Sequence, residues 1–224
     1  MPGFLSIIYP YRPRQPAAES GPSRVGRIRF SARLPPTVRL FRHIHQDLMM
    51  VHDYNLLVSY ERRYFHASRQ EILRLLVEFG DPHPIVRRTI ARGLMGVRTA
   101  LRNTGVIGSL FTRFSQDAMS IRFTLKWTPI DLWCDATLES MKQSLAILKA
   151  EIKPGERWMM RVEKRRFTIY HRIDIIKELA ELIDEKVDLK SPDKIVWVEI
   201  IGKQAGMKVL RPDEIFSLPK LRGY

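Results

Sequence analysis

The chain has 224 residues, 45% of them hydrophobic, so it is long enough and apolar enough for one large or two small domains with buried cores. Its 38 lysines and arginines outnumber its 24 acidic residues and give a formal net charge of +14. This excess predicts a polyanionic partner, with nucleic acid as the leading class, and the alternative is a basic protein that binds nothing in particular.

The cysteine content and the apolar runs exclude several other classes of protein. A single cysteine, Cys134, rules out a disulfide framework and a cysteine-based zinc site, and its default role is a buried structural thiol. No apolar run approaches the ~20 residues that a membrane span requires. The apolar stretch at residues 4–9 is interrupted by Pro10 and lacks a preceding basic segment, which argues against a secretory signal. We therefore expect a cytoplasmic protein without a metal or cofactor.

Residues 1–52 form an extension that is rich in proline and arginine. It holds half of the fourteen prolines, and its eight arginines are opposed only by Glu19 and Asp47. Such a segment buries too little apolar surface to offset its ordering entropy, so we expect it to be flexible. It is either a basic arm that binds phosphates or an accessory extension, and a third possibility is that the natural chain starts at Met49 or Met50.

Residues 53–128 predict a first domain with the element order β-α-β-β-α-β, which is the ferredoxin-like arrangement. Ser68 and Glu71 have the spacing of a capping box and predict the start of the first helix, and Gly80 predicts its end. A weaker helix contains Gly105 and Gly108. The predicted strands are residues 55–60, 85–90, 94–100 and 121–127, and the predicted helices are residues 68–79 and 104–114.

Residues 129–218 predict a second α/β domain, followed by a short tail at residues 219–224. Thr137 predicts the N-cap of a helix, and Asp131 with Asp135 is interpreted as a turn and a helix start. The predicted strands are residues 157–164, 195–201 and 207–210. A second helix is predicted from about residue 171 to residue 186. Its apolar side is formed by Ile173, Ile176, Ala180, Ile183 and Val187, and is widened by Leu179 and Leu182.

Several sequence blocks in this second domain, taken in order, resemble a THUMP domain. They are Arg161-Val-Glu-Lys-Arg165, then a helix, then the segment from Val187 to Asp193, then Val196-Trp-Val-Glu-Ile200 and the segment from Gly202 to Leu210. The preceding ferredoxin-like unit is similar to the domain that regularly accompanies THUMP. The resemblance covers roughly residues 53 to 218, and it is strongest to the stand-alone THUMP proteins that assist tRNA cytidine acetylation.

The resemblance implies a function in tRNA modification. It implies binding of the acceptor stem and single-stranded 3′ end of tRNA, and a separate acetyltransferase partner that makes N4-acetylcytidine. The chain itself is then a non-catalytic adaptor, which raises the effective concentration of tRNA at the enzyme. No Walker loop, glycine-rich turn after a strand or nucleophile elbow is present in the sequence to indicate an activity of its own.

The charge pattern independently favours RNA binding. Cations dominate between residues 141 and 172, whereas acidic residues dominate between residues 174 and 199. RNA phosphates should therefore be attracted to the basic segment and repelled by the acidic one. Alternation along the strand from Arg157 predicts an apolar face and an arginine face. The residues that we expect to contact RNA are Arg161, Lys164, Arg165 and Arg166, with Lys203, Gln204 and Lys208 in the last two-strand loop and Arg113, Arg122 and Lys126 near the domain junction.

Two rival hypotheses predict different behaviour. A general RNA-binding or ribosome-associated protein binds through charge alone and treats tRNA like any other stem-loop. An enzyme with an unrecognised active site modifies tRNA when supplied with a methyl or acetyl donor.

Overall fold

The computed structural model describes residues 52–223 and places them in two β-sheets with five helices. The predicted flexible extension lies, except for His52, outside these described residues. Within them, no helix is both long and apolar enough to cross a membrane.

The first sheet has the predicted ferredoxin-like arrangement. Its strands and helices are β1 (Leu56–Tyr60), α1 (Phe65–Glu78), β2 (Ile85–Arg88), β3 (Leu94–Arg98), α2 (Asn103–Gln116) and β4 (Thr124–Pro129). The strands are antiparallel in the order β2-β3-β1-β4. Both helices pack on one face, because their apolar residues recur at helical spacing and bury Ile72, Leu75 and Leu110 against Leu56 and Val58.

The predicted capping box at Ser68 and Glu71 is wrong. Helix α1 begins three residues earlier, and both side chains are buried inside it. Ser68 donates to the carbonyl oxygen of Phe123, and the Glu71 carboxylate accepts the backbone N–H groups of Arg122, Phe123 and Thr124 at 2.7 to 3.2 Å. The polar pair therefore fixes the start of β4 instead of the start of the helix.

The second sheet packs two helices on one face. Its elements are β5 (Leu132–Asp135), α3 (Leu138–Leu148), β6 (Trp158–Arg165), α4 (Arg172–Ala180), β7 (Lys194–Ile201) and β8 (Gln204–Leu210). The strand order is β5-β8-β7-β6, with β6 and β7 parallel and the other pairs antiparallel. The predicted cap of α3 is confirmed, since the Thr137 hydroxyl accepts the N–H of Ser140 at 3.2 Å.

Two predictions for the second sheet are wrong. The segment at Asp131 and Asp135 contains strand β5 in place of a helix start, since it pairs with β8 and completes the sheet edge. Helix α4 ends at Ala180, and its buried positions are Ile175 and Leu179, whereas Ile173 is exposed. The predicted Ile183 is buried, and Ile176 and Ala180 pack against the same core, so the predicted face is wrong only at its two ends, Ile173 and Val187.

The end of the chain returns to the first sheet. A two-residue strand, β9 (Phe216–Ser217), pairs with β4, and α5 (Leu218–Leu221) follows it. Phe216 and Leu218 are buried in the core of the first sheet. The domain boundaries drawn from the sequence at residues 128 and 218 stay predictions. Because Phe216 and Leu218 pack in the core of the first sheet, this C-terminal segment stabilises the N-terminal half.

A third apolar core joins the two halves. Leu57 and Leu94 from the first sheet meet Trp197, Ile201 and Leu210 from the second. Tyr54 also belongs to this core, and its carbonyl oxygen accepts the indole N–H of Trp133 at 2.6 Å. The halves thus share buried surface, which fixes the position of the residues that line their junction.

A Gly96→Ala substitution should destabilise this junction. A Cβ atom at position 96 would lie 2.2 Å from Cδ2 of the buried Tyr54 ring, so the ring must move. We expect a loss of about 2 kcal/mol in urea unfolding, as for other overpacked sites. The matched control is Gly105→Ala in α2, where the nearest atom lies 3.8 Å away, and there the stability should stay level or rise slightly. Equal effects of the two substitutions would contradict the packing described.

Candidate nucleic-acid interface

The face of β6 and β7 that points away from α3 and α4 carries a row of charged and aromatic side chains. Alternation sends Trp158, Met160 and Val162 into the core beneath the helices. The opposite face holds Arg161, Glu163 and Arg165 on β6, which stand in register beside Trp197, Glu199 and Ile201 on β7. We call these six residues the junction face, because Trp197 and Ile201 also belong to the core shared with the first sheet.

Ion pairs with glutamate side chains hold the two arginines of the junction face in position. Arg165 Nε lies 2.6 Å from Oε1 of Glu199, whose side chain is 2% exposed. Arg161 Nε lies 3.4 Å from Glu163. The predicted arginine face of β6 therefore exists, although Arg165 is held by a buried carboxylate and Arg157 is paired with Asp188 and Asp193. Arg161 remains about half exposed and can reach a ligand.

A cleft of about 360 Å³ lies at one end of the junction face, and we call it the tryptophan cleft. Lys126 Nζ lies 4.5 Å from the centre of the Trp197 ring, and the Arg161 guanidinium carbon lies 5.5 Å from it. The Trp197 indole N–H is buried and has no hydrogen-bond partner among residues 52–223. The lining residues come from both halves and from the C-terminal segment: Phe111, Lys126, Met159, Arg161, Ile195, Trp197, Pro212, Ile215, Ser217, Lys220 and Leu221.

The tryptophan cleft combines an apolar wall with cations that are partly removed from water. Burial lowers the pKa of Lys126 below its ordinary value, and the carboxylates of Glu199 and Glu163 oppose that effect. A phosphate placed beside Lys126 would favour its charged form. The cleft is therefore suited to a ligand that has both a flat apolar part and an anionic part, as a nucleotide has.

A second concave site lies at Arg165, four residues beyond Arg161 along β6. At about 3.3 Å per residue of a strand, the two backbone positions are about 13 Å apart. Its cavity of about 340 Å³ is lined by Arg62, Ala91, Arg92, Arg165 and Arg166. Arg62 follows β1, Ala91 and Arg92 lie between β2 and β3, and Arg165 and Arg166 end β6. We call it the arginine pocket. Two of its four arginines come from each half of the protein.

The structure brings four of the ten predicted contact residues to these two sites. Lys126 and Arg161 line the tryptophan cleft, and Arg165 and Arg166 line the arginine pocket. Lys164 points elsewhere, since its ammonium group donates to the carbonyl oxygen of Tyr170. These positions make Lys126, Arg161, Arg165 and Arg166 candidates for a single RNA-binding interface.

The three residues predicted in the last two-strand loop lie apart from it. Gln204 is buried, and its amide oxygen accepts the backbone N–H of His52 at 2.7 Å. Lys208 is buried and pairs with Asp131 at 2.5 Å. Only Lys203, in the turn between β7 and β8, is exposed. Their burial corrects the expectation for Gln204 and Lys208, because neither can reach RNA without breaking a buried contact.

Two further predicted contacts lie on the helical side of the first sheet. Arg113 on α2 pairs with Glu78 of α1 at 2.9 Å. Arg122 precedes β4 and lines a separate concave site with Arg74 and Phe123. Neither lines the tryptophan cleft or the arginine pocket, so neither belongs to the same continuous surface.

Sequence reasoning missed three residues of the interface. Arg62 and Arg92 are two among many arginines of the first domain, and no local pattern sets them apart. Trp197 lies in a strand that is buried on both faces, so the strand shows no alternation of apolar and polar residues. The sequence therefore could not indicate on which face of the sheet Trp197 lies. All three residues reach the interface only through the tertiary structure, because their position depends on how the two halves pack together.

Residues 136–210 match the family model described as the THUMP domain. These residues are a THUMP domain. They include β6, β7 and the junction face, and the other residues that line the two sites come from the ferredoxin-like half and from the C-terminal segment. The resemblance of this segment to a THUMP domain, stated from the sequence, is thereby confirmed.

Relatives extend the match beyond the THUMP domain. The chain is 27% identical over 106 residues to the Saccharomyces cerevisiae protein named tRNA acetyltransferase TAN1, and the match covers 41% of this chain and 37% of that protein. The chain therefore spans little more than a third of its curated relative.

A solved structure shares the fold. The protein PH1313 from Pyrococcus horikoshii superposes with a TM-score of 0.53 at 16% identity, over 70% of this chain and 54% of that one. The solution structure of the THUMP domain of THUMP domain-containing protein 1 is 28% identical and covers 33% of this chain and 84% of that chain, with a TM-score of 0.30.

Proposed function

We propose that the chain is a non-catalytic adaptor that binds tRNA and presents it to a separate modification enzyme, an N4-cytidine acetyltransferase. The observation that carries the proposal is a basic interface built from both halves, with two concave sites about 13 Å apart along one strand. Seven cations line the two sites, counting Arg62, Arg92 and Lys220, and the junction face holds only two carboxylates. The THUMP match and the name of the yeast relative support tRNA modification as the setting.

The acceptor stem and its single-stranded 3′ end are the proposed target. RNA duplexes are recognised mainly through their backbone and shape, whereas unpaired bases are recognised by stacking. An interface with guanidinium groups at one end and a cleft with an apolar wall at the other suits an RNA that has both features, although Trp197 itself is buried. The stem would lie along the cations, and an unpaired nucleotide would occupy the cleft.

The groups in the interface support a binding role over a catalytic one. Lysine and arginine side chains supply positive charge and donors, and the two carboxylates are already engaged in ion pairs. Cys134 lies outside the interface, half-buried in β5, and burial raises the pKa of its thiol, which makes it a poor nucleophile.

Reconstitution tests the adaptor role. The purified chain with tRNA and an acetyl donor should yield no N4-acetylcytidine, measured by mass spectrometry of digested tRNA. Added to a separate tRNA cytidine acetyltransferase, it should lower the enzyme's KM for tRNA at least tenfold, by raising the local tRNA concentration. Acetylation by the chain alone would make it an enzyme. An unchanged KM, with tRNA binding intact, would leave a general RNA-binding protein.

A further inference from the structure

Four arginines line one cavity in the arginine pocket, and three of them, Arg62, Arg92 and Arg166, are exposed to solvent. Arg62 and Arg92 approach from the first sheet, and Arg165 and Arg166 approach from the end of β6. A phosphate in the middle of an RNA backbone is usually met by one or two cations on an open surface. A pocket with four arginines suits a more highly charged group.

The two arginines from β6 are held in place before any ligand arrives. Arg165 uses its Nε for the 2.6 Å bond to buried Glu199, and Arg166 uses its Nε for a 3.1 Å bond to the carbonyl oxygen of Ile90. Within residues 52–223 the terminal amino groups of both guanidiniums make no hydrogen bond. Each of the two side chains is thus anchored by one N–H donor, and the other four N–H donors of each guanidinium stay available for a ligand.

The backbone at Arg166 is also unusual. Its φ angle of 53° lies in the left-handed region, and it is the one non-glycine residue with positive φ among residues 52–223. Such a conformation is unfavourable for a residue other than glycine and persists where surrounding contacts impose it. Here the bond to Ile90 and the 2.9 Å bond from Gly202 N–H to the Arg165 carbonyl oxygen impose it. Arg166 is exposed and lines the same cavity as Arg92.

The charge of the pocket exceeds what one backbone phosphate would neutralise. Among the described residues no carboxylate lies within 4.0 Å of Arg62, Arg92 or Arg166, so only Arg165 is neutralised, by Glu199. A phosphodiester carries one negative charge and has two non-bridging oxygens. A phosphate monoester carries about −1.5 to −2 at neutral pH and offers three acceptor oxygens.

We propose that the arginine pocket binds a terminal phosphate monoester of the RNA, so that the protein recognises an RNA end and not only a stem. The inference rests on the proposed RNA-binding function and names a group that this part of the interface selects. A 5′-phosphate and a 3′-phosphate have the same chemistry, and the experiment distinguishes them.

The test uses the full chain and one synthetic RNA hairpin stem with a single-stranded 3′ extension, made with a 5′-hydroxyl, a 5′-phosphate or a 3′-phosphate. We expect one phosphorylated form to bind about tenfold more tightly than the hydroxyl form, the effect of charge-assisted hydrogen bonds that the hydroxyl form lacks. The form that gains affinity identifies the end. Equal affinity of all three would overturn the inference and leave the proposed function standing, whereas failure of all three to bind would overturn both.

Two double variants locate the effect. R62Q/R92Q removes two of the three pocket arginines that have no carboxylate partner among the described residues, and it should abolish the preference for the phosphorylated RNA. R69Q/R102Q removes the same charge from the first domain outside the pocket and should keep the preference. Thermal unfolding of both variants checks that they remain folded. A preference that survives in R62Q/R92Q would place the phosphate elsewhere and overturn the inference.

Discussion

A triple variant, K126Q/R161Q/R166Q, should bind tRNA about 100-fold more weakly than the natural chain, since each lost cation removes a charge-assisted contact. Lys126 and Arg161 flank Trp197, and Arg166 lines the arginine pocket, so the variant weakens both concave sites. The slope of log affinity against log salt concentration should also fall by ~3, about one for each lost phosphate contact. Titration at several salt concentrations measures both quantities.

Arg165 is left in place in this variant for a structural reason. Its removal would leave the Glu199 carboxylate, 2% exposed, without its cation, and an uncompensated buried charge typically costs about 3–5 kcal/mol. Loss of binding would then be confused with loss of folding. The matched control K153Q/K177Q/K190Q removes three exposed lysines that line neither site and should change affinity far less. Equal losses in the two triple variants would mean that net charge, and not this interface, governs binding.

The largest effect on stability is expected from Glu71→Ala. The Glu71 carboxylate accepts three backbone N–H groups and the hydroxyl of Thr124, which in turn accepts the indole N–H of Trp127 at 3.0 Å. Alanine would leave these donors buried without an acceptor. We expect a loss of about 3 kcal/mol in denaturant unfolding, which corresponds to ~10 °C in Tm for a domain of this size.

Glu78→Ala on the same helix provides the comparison. Its side chain is 43% exposed and takes part in surface ion pairs with Arg74 and Arg113, so its removal should cost less than about 1 kcal/mol. If Glu71→Ala were no more destabilising than Glu78→Ala, the carboxylate would not be what fixes the start of β4.

The order of strands and helices was predictable because most elements have apolar residues at a clear period. Helices α1 and α3 carry their buried residues at helical spacing, and β6 alternates, so each could be assigned from the sequence alone. Strand β5 was missed because four residues are too few to show alternation. The capping box was misassigned because the same Ser-x-x-Glu spacing serves a tertiary contact at Ser68 and Glu71.

The interface was only partly predictable. The strand pattern placed Arg161 and Arg165 on one face, and charge alone selected Lys126 and Arg166. Charge also selected Lys208, which the fold buries against Asp131. Arg62 and Arg92 approach Arg165 and Arg166 only because a shared core brings the two halves together, and no local sequence pattern encodes that meeting.

The central claim is that this interface recognises tRNA and its single-stranded end, and the most direct measurement is a titration with three RNAs at two salt concentrations. The RNAs are mature tRNA, the same tRNA without its 3′ single-stranded end, and an unrelated hairpin. We predict that intact tRNA binds most tightly, that trimming its 3′ end weakens binding, and that the order persists at the higher salt concentration. Equal affinity for all three RNAs, lost together as salt rises, would contradict the account and indicate a basic protein that binds RNA through charge alone.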